Sequence, residues 1–322
     1  MKKKNGKREG KKIEYYKNGD IKYDGDWIDD LPEGKGKFIE ENGNYYIGEF
    51  KKGLKHGKGI EYNKDGKIIY EGDFIKGKKE GQGKLYYEDD SYYIGPFKND
   101  LREGKGKICD KDGNITLEAT YLQGEIEGIA KEFYDDGTYY IGHFSEEGRH
   151  GKGTLYDEKG NIIYKGDFFE DRLEGNGKAV YDTGSYYIGQ FKDNKKNGKG
   201  ILYYENGDIK YEGDFVDDLF DGNGKIIYED GAYYVGQFKK GKRHGKGIFC
   251  YSKNARLSSY EGDFAEDKYN GQGKIIFANG NYHIGQFKNG LCHGEGKIYF
   301  PNGNIFFDAN FVDNKMEGKG KQ

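Results

Sequence analysis

The sequence predicts an all-β protein: an elongated, single twisted antiparallel sheet of tandem β-hairpin repeats, a solenoid-like rod. Three observations predict it. An aromatic-x-Gly-x-aromatic pattern recurs from Tyr23-Gly25-Trp27 almost to the last residue. Asn-Gly or Asp-Gly pairs fall between its occurrences, the strongest short-range signal for a hairpin. The chain is only 34% hydrophobic and carries 55 Gly, too little for one thick core, yet its 31 Tyr and 20 Phe are too many rings for a solvated coil.

The pattern is centred on Gly25, Gly48, Gly72, Gly95, Ala119, Gly142, Gly166, Gly189, Gly213, Gly236, Gly262, Gly285 and Ala309, thirteen units in all. Spacings alternate between 23 and 24 residues, with a single 26, so the true period is a pair of repeats. The repeat core is read as Tyr23, Gly25 and Trp27; Tyr46, Gly48 and Phe50; Tyr70, Gly72 and Phe74; and Tyr211, Gly213 and Phe215. The chain divides into a basic N-terminal arm (1–12), one continuous array (13–320) and a short tail (321–322).

A Gly-x-Gly, such as Gly57/Gly59 or Gly198/Gly200, precedes each central position. Setting Gly200 opposite Gly213 places Leu202 against Tyr211 and Gly198 against Phe215 on one face. The other face then opposes Lys199 to Asp214 and Ile201 to Glu212 and is expected to be charged. Glycine in a strand is normally a loss; here it leaves room for a neighbouring ring. The same register predicts a two-residue turn at Asp65-Gly66 where the spacing is 24. Where it is 23, it predicts a three-residue loop, Glu41-Asn42-Gly43, ending on a left-handed glycine. The two extra residues near Ser252–Arg256 leave the facing of both strands unchanged.

The segment Gly-Lys-Gly-Ile-Leu-Tyr-Tyr-Glu-Asn-Gly-Asp-Ile-Lys-Tyr-Glu-Gly-Asp-Phe, Gly198 to Phe215, resembles the MORN (membrane occupation and recognition nexus) repeat, as does the linker Lys51 to Gly57. The resemblance runs from about Gly10 to Gly320. It implies a non-catalytic scaffold or docking protein of the cytoskeleton or cilium, with other proteins as partners, dimerisation through a terminal repeat, and phosphoinositide binding as an alternative. Some members carry a lipid-kinase or methyltransferase domain, for which this chain has no room. Action on an enzyme in trans is a further alternative. Three units depart from the pattern. Around Ala119, Leu117 replaces the aromatic and Gly128-x-Ala130 replaces Gly-x-Gly, so a bend or loosened packing is expected there rather than a site. His283 stands for the ring before Gly285, and the last unit reads Phe307-Asp308-Ala309-Asn310-Phe311.

Chemistry is sparse. Asp26, Asp73, Asp167, Asp214 and Asp263 recur with the repeat, which marks them as ladder residues opposite lysines rather than catalytic groups. His56, His150, His244 and His293 share one inter-repeat position but are too many strands apart to share a metal, so neither metal nor cofactor is expected. Cys109, Cys250 and Cys292 are odd in number and scattered, which suits a reducing compartment. With 53 basic and 56 acidic residues the whole chain has no field to steer nucleic acid, and none is expected as a partner. The absence of a long apolar run predicts a cytoplasmic, non-secreted protein without a membrane span.

Candidate contacts to a partner or an anionic lipid are therefore local. They are Lys2, Lys3, Lys4, Lys7 and Arg8 of the arm, and Lys51, Lys52, Lys55, Lys239, Lys240, Lys242 and Arg243 of the basic linkers. The linker Val216 to Asp221 is acidic, so one rim is expected to be basic and the other acidic. The arm suits an acidic surface such as tubulin tails, anionic lipid or nucleic acid; it equally suits a solubilising tail that protects the first sheet edge. Gly318 to Lys321 begins another strand, whose open edge predicts pairing with a second copy in a homodimer.

Overall fold

The rings and glycines of each repeat fold as the pattern requires. In the computed structural model, which describes residues 7–321, every regular element is a β-strand, from Gly10–Tyr15 to Lys315–Lys321. The chain forms two compact units, Met1–Asn161 and Ile162–Gln322. Within each, strands that follow one another in sequence pair antiparallel, except where a strand is split in two around Ala119.

The register read from the glycines is the observed one: Gly200 faces Gly213, Leu202 faces Tyr211, Lys199 faces Asp214 and Ile201 faces Glu212. The longer hairpin keeps it too, with Gly247 facing Gly262 and Phe249 facing Tyr260. The first strand starts at Gly10, within the stretch read as the basic N-terminal arm (1–12).

The turn reading needs correction. At Asp65-Gly66 the Asn63 N–H donates to the Lys67 carbonyl and the Gly66 N–H to the Asn63 carbonyl, closing a three-residue loop, Lys64-Asp65-Gly66. The loop Glu41-Asn42-Gly43 closes in the same way. The extra residue of the 24-residue spacing lies instead in the returning strand. Glu61 faces Tyr70 but Tyr62 faces Ile68, so Ile69 is bulged. Counting residues between two glycines gives only parity. A two-residue turn, and a three-residue loop with a one-residue bulge, satisfy it equally.

Except at Glu146-Glu147, successive hairpins are joined by two-residue turns in which both residues take positive φ. Asp29 and Asp30 have φ of 50° and 70°, and Asp217 and Asp218 have 47° and 70°. This is the turn that matches strand twist, and Asp, Asn and Gly tolerate it best. Neighbouring turns are bonded together. The Gly53 N–H donates to the Pro32 carbonyl at 2.9 Å, and the Lys196 N–H donates to the Asp218 carboxylate at 2.9 Å.

The core of each unit is a single row of rings. Tyr23, Tyr46, Tyr70 and Tyr93 are at most 1% exposed, as are Tyr187, Tyr211, Tyr234 and Tyr260. Each meets the second aromatic of its own repeat and of the next edge-on: Tyr46 lies 5.2 Å from Phe50 and 5.0 Å from Phe74, at 88° and 79°. Such pairs contribute about 0.5–1.5 kcal/mol beyond the burial of the rings. Each tyrosine hydroxyl donates to the carbonyl three residues on, as from Tyr211 to Asp214 at 2.9 Å.

The two glycines of Gly-x-Gly differ in role. The second, as in Gly59 or Gly200, lies under the tyrosine ring, where any β-carbon would collide. The first has positive φ, +62° at Gly81 and +81° at Gly198. It sits in a bulge where the second strand runs two residues long: Gly48 faces Gly59, but Phe50 faces Lys55. That bulge frees an N–H, which the residue after the central glycine accepts. Asp73 takes the Gln82 N–H at 3.1 Å and Asp214 takes the Asn223 N–H at 2.9 Å. The recurrent aspartates are thus ladder residues, as Lys58–Asp73 at 2.7 Å and Lys199–Asp214 at 2.5 Å show, and bulge caps as well.

A candidate docking face

Because residues alternate across a strand, the position before each central glycine must face away from the tyrosine row. In the first unit these positions pair across the sheet as Asp24, Lys37, Ile47, Ile60, Glu71, Lys84 and Ile94, continuing through Lys107, Glu118 and Lys131 to Ile141. The second unit carries Lys178, Ile188, Ile201, Glu212, Lys225, Val235, Ile248, Glu261, Lys274, Ile284, Lys297 and Asp308 in one row. The unit of pattern is lysine, two aliphatics, then an acid, with Lys107 and Lys297 standing for the second aliphatic in two of its repeats. Ile47, Ile94, Ile188, Val235 and Ile284 remain exposed.

This row was under-read in the sequence, where the face away from the rings was expected to be charged. The signal is the Ile or Val before the central glycine of every second repeat: Ile47, Ile94, Ile141, Ile188, Val235 and Ile284. The tyrosine face, in contrast, is sealed. Its rings are buried, and side chains cover them: Lys55 ion-pairs Glu61 at 2.6 Å with its ammonium 5.1 Å from the Tyr46 ring. Lys79 joins the same Glu61 at 3.2 Å.

Around Ala119 the packing is loosened, as expected. The strands split into Leu101–Arg102 and Gly104–Cys109, and into Glu125–Ile126 and Ile129–Phe133. The Tyr121 hydroxyl is buried without a hydrogen-bond partner. On the aliphatic face at this place lies a cleft of about 620 Å³, lined by Ile94, Ile129 and Ile141 with Lys105, Lys107 and Lys131. Ile129 is 60% exposed. Lys107 is engaged by Glu118 at 2.8 Å, and Lys131 lies 4.2 Å from the Tyr139 ring.

The basic residues singled out by sequence are dispersed. Lys2, Lys3 and Lys4 lie outside the described residues. Lys7 pairs with Asp29 at 3.2 Å, while Arg8 pairs with Glu14 and Asp30 at 3.2 Å each and stacks 3.6 Å over Trp27. Lys55 is held by Glu61; Lys242 pairs with Glu266, and Arg243 with Asp267 at 3.1 Å. Lys51, Lys52, Lys239 and Lys240 are exposed at the turns. The expectation of one basic and one acidic rim is corrected. All inter-hairpin turns of a unit share one edge of the meander, so basic and acidic linkers alternate along it and pair, as Lys196–Asp218 does at 3.3 Å.

The carboxylates respond to these partners. The Lys199 ammonium holds Asp214 below the ordinary aspartate range, and Lys242 does the same to Glu266. Burial pushes the hydroxyls of Tyr23, Tyr93 and Tyr234 up to about 12. Among the described residues no helix is long and apolar enough to cross a membrane.

Among solved structures, the TCP10 domain of Danio rerio CPAP in complex with a peptide of Danio rerio STIL aligns over 86% of this chain and 99% of its own, at 10% identity and a TM-score of 0.18. A protein of unknown function from Bacteroides caccae aligns over 80% and 92%, at 14% identity and 0.16. BamB from Moraxella catarrhalis aligns over 94% and 81%, at 15% identity and 0.17. Scores this low carry no argument. No curated protein sequence matches. The MORN repeat matches residues 23–45, 46–68, 70–92, 93–115, 164–186, 187–209, 211–233, 234–256, 260–282, 283–305 and 307–322. Its variant form matches residues 8–29 and 149–171. Residues 116–148, which supply Glu118, Ile129, Lys131 and Ile141 of the cleft, fall outside these matches. With repeat after repeat matched over most of its length, the chain belongs to the MORN repeat family.

Proposed function

We propose that this protein is a non-catalytic scaffold whose aliphatic face docks other proteins, with the cleft beside Ala119 as the principal site. MORN repeats serve in general as modules for protein or membrane interaction. The observation that carries the reading is the combination of a sealed tyrosine face with an opposite face exposing Ile94 and Ile129. Exposed aliphatics grouped in a cleft and rimmed by charge are the usual anatomy of a docking surface. Lys105 at the rim favours a segment that places an apolar side chain next to a carboxylate. The cytoskeletal or ciliary setting rests on the family resemblance alone. A site here departs from the sequence reading, which expected only loosened packing.

The test is to compare the intact protein with Ile129→Asp in cells extracted with non-ionic detergent. Retention of the intact protein in the insoluble fraction, lost in the variant, supports docking through the cleft. Equal retention overturns the site. Release of the intact protein by detergent overturns the cytoskeletal setting. It turns attention to a lipid contact through Lys51, Lys52, Lys239 and Lys240, read by flotation with phosphoinositide vesicles at rising salt.

A further inference from the structure

The row of the second unit is self-complementary. Consider a two-fold axis in the plane between two facing sheets, parallel to the strands and passing between Tyr233–Lys239 and Lys242–Cys250. It reverses the order of the row. Val235 then meets Ile248 of a second copy, and Lys225 meets Glu261 of that copy. One strand further out, Glu212 meets Lys274, and Ile201 meets Ile284 beyond it. Further out, Lys178 meets Asp308.

No like charges meet along the twelve positions from Lys178 to Asp308; the next pair out, Lys165 and the position of Lys321, is of like charge. Stacking the row in the same order sets every lysine on a lysine. The adjoining row tolerates the central axis as well: Gln237 faces Lys246 of the second copy and Asn223 faces Asp263. Val235 and Ile248 at the centre are 43% and 40% exposed, so their approach removes apolar surface that the single chain leaves in water.

We propose that the second unit pairs face to face with a second copy of this chain across this row. The interface is isologous, so the Lys225–Glu261 contact forms twice. Facing sheets pack about 10 Å apart and keep their strand directions within about 30° of each other, a range that includes the parallel arrangement set by this axis. Any departure from parallel displaces the outer pairs most, which gives Val235, Ile248, Lys225 and Glu261 the largest share of the association. The cleft of the first unit lies outside this row.

Sedimentation of the full chain over a wide concentration range tests the proposal. The expected results are a dimer that weakens with salt, and a dissociation constant raised roughly tenfold or more by Lys225→Glu. Adding Glu261→Lys to that variant recovers the dimer, since the same contact re-forms with its signs exchanged. Val235→Glu, whose new carboxylate sits beside Lys225 in its own chain, dissociates the dimer with the fold intact by circular dichroism, and it decides the matter alone where Lys225→Glu does not fold. A monomer at every concentration overturns the proposal. So does a dimer indifferent to these changes, which points to edge pairing at Lys315–Lys321, and so does a folded double variant that stays monomeric.

Discussion

The ring of Tyr46 lies against the backbone of Gly59 on the following strand, and its hydroxyl donates to the Glu49 carbonyl at 3.0 Å. Gly59 is thus required for space. Gly59→Ala drives a methyl into that ring and is expected to cost about 1–3 kcal/mol, the range of core overpacking, and Gly59→Asn more. Gly207 gives the contrast: φ is +87° and nothing lies within 4 Å of the site of a β-carbon. Gly207→Ala should cost about 1–2 kcal/mol from left-handed backbone alone, and Gly207→Asn less, because Asn tolerates that region. Urea midpoints for the four variants check this, and equal losses for both asparagine variants would refute the distinction.

The buried tyrosines also predict how the fold responds to base. Tyr23, Tyr93 and Tyr234 are raised from 10 to about 12, chiefly because burial disfavours the phenolate. The unfolded chain therefore loses these protons first as pH rises. The stabilisation is complete below pH 10 and is lost as pH climbs from 10 through 12. Thermal melting followed at a series of alkaline pH values should show a flat plateau and then a steep fall. Tyrosinate absorbance should rise together with unfolding rather than before it.

How legible was this in the sequence? The register was, because Gly200, Gly213, Leu202 and Tyr211 obey period two and the rings must share a face. The bulge at Ile69 was not, because parity cannot separate it from a shorter turn. Nor were the stacked turns such as Asp217-Asp218, since left-handed backbone at two successive aspartates follows from strand twist and not from residue type alone. The aliphatic face was visible as Ile47 and its equivalents but outvoted by the charges beside it. The cleft beside Ala119 depends on how strands separate once Leu117 and Ala130 remove a ring and a glycine, which no local pattern reports.

The cap on the bulge makes Asp214 a two-part residue. One carboxylate oxygen accepts the Asn223 N–H and the other meets Lys199. Asp214→Asn keeps an acceptor for the N–H and should cost less than about 1 kcal/mol, the scale of an exposed ion pair, whereas Asp214→Ala strands the N–H and should cost about 1–3 kcal/mol. Gln190 and Gln237 already cap the equivalent bulges at 2.9 and 3.2 Å, so an amide suffices there. Hydrogen exchange at the Asn223 amide reads the difference directly. Similar exchange in both variants would show that the cap does not hold the bulge.

His283 stands where other repeats place tyrosine, and it is the weak point of the second unit. It is 1% exposed between Phe287 and Phe311, with ring centroids at 5.4 and 5.0 Å, and neither ring nitrogen has a hydrogen-bond partner. Burial lowers its pKa below the ordinary 6.5. As pH falls the unfolded chain takes the proton first, so the stability present above about 6.5 is lost progressively as acid approaches the lowered folded value. His283→Tyr supplies the missing hydroxyl, whose partner by analogy with the other repeats is the Gln286 carbonyl. It should raise stability by roughly 1–2 kcal/mol and flatten the acid limb of the stability curve. Hydrogen exchange across Leu291–Tyr299 and Ile305–Val312, measured between pH 5 and pH 7, should show acid-induced opening in the native chain and little in the variant; the same slope in both would place the acid sensitivity elsewhere.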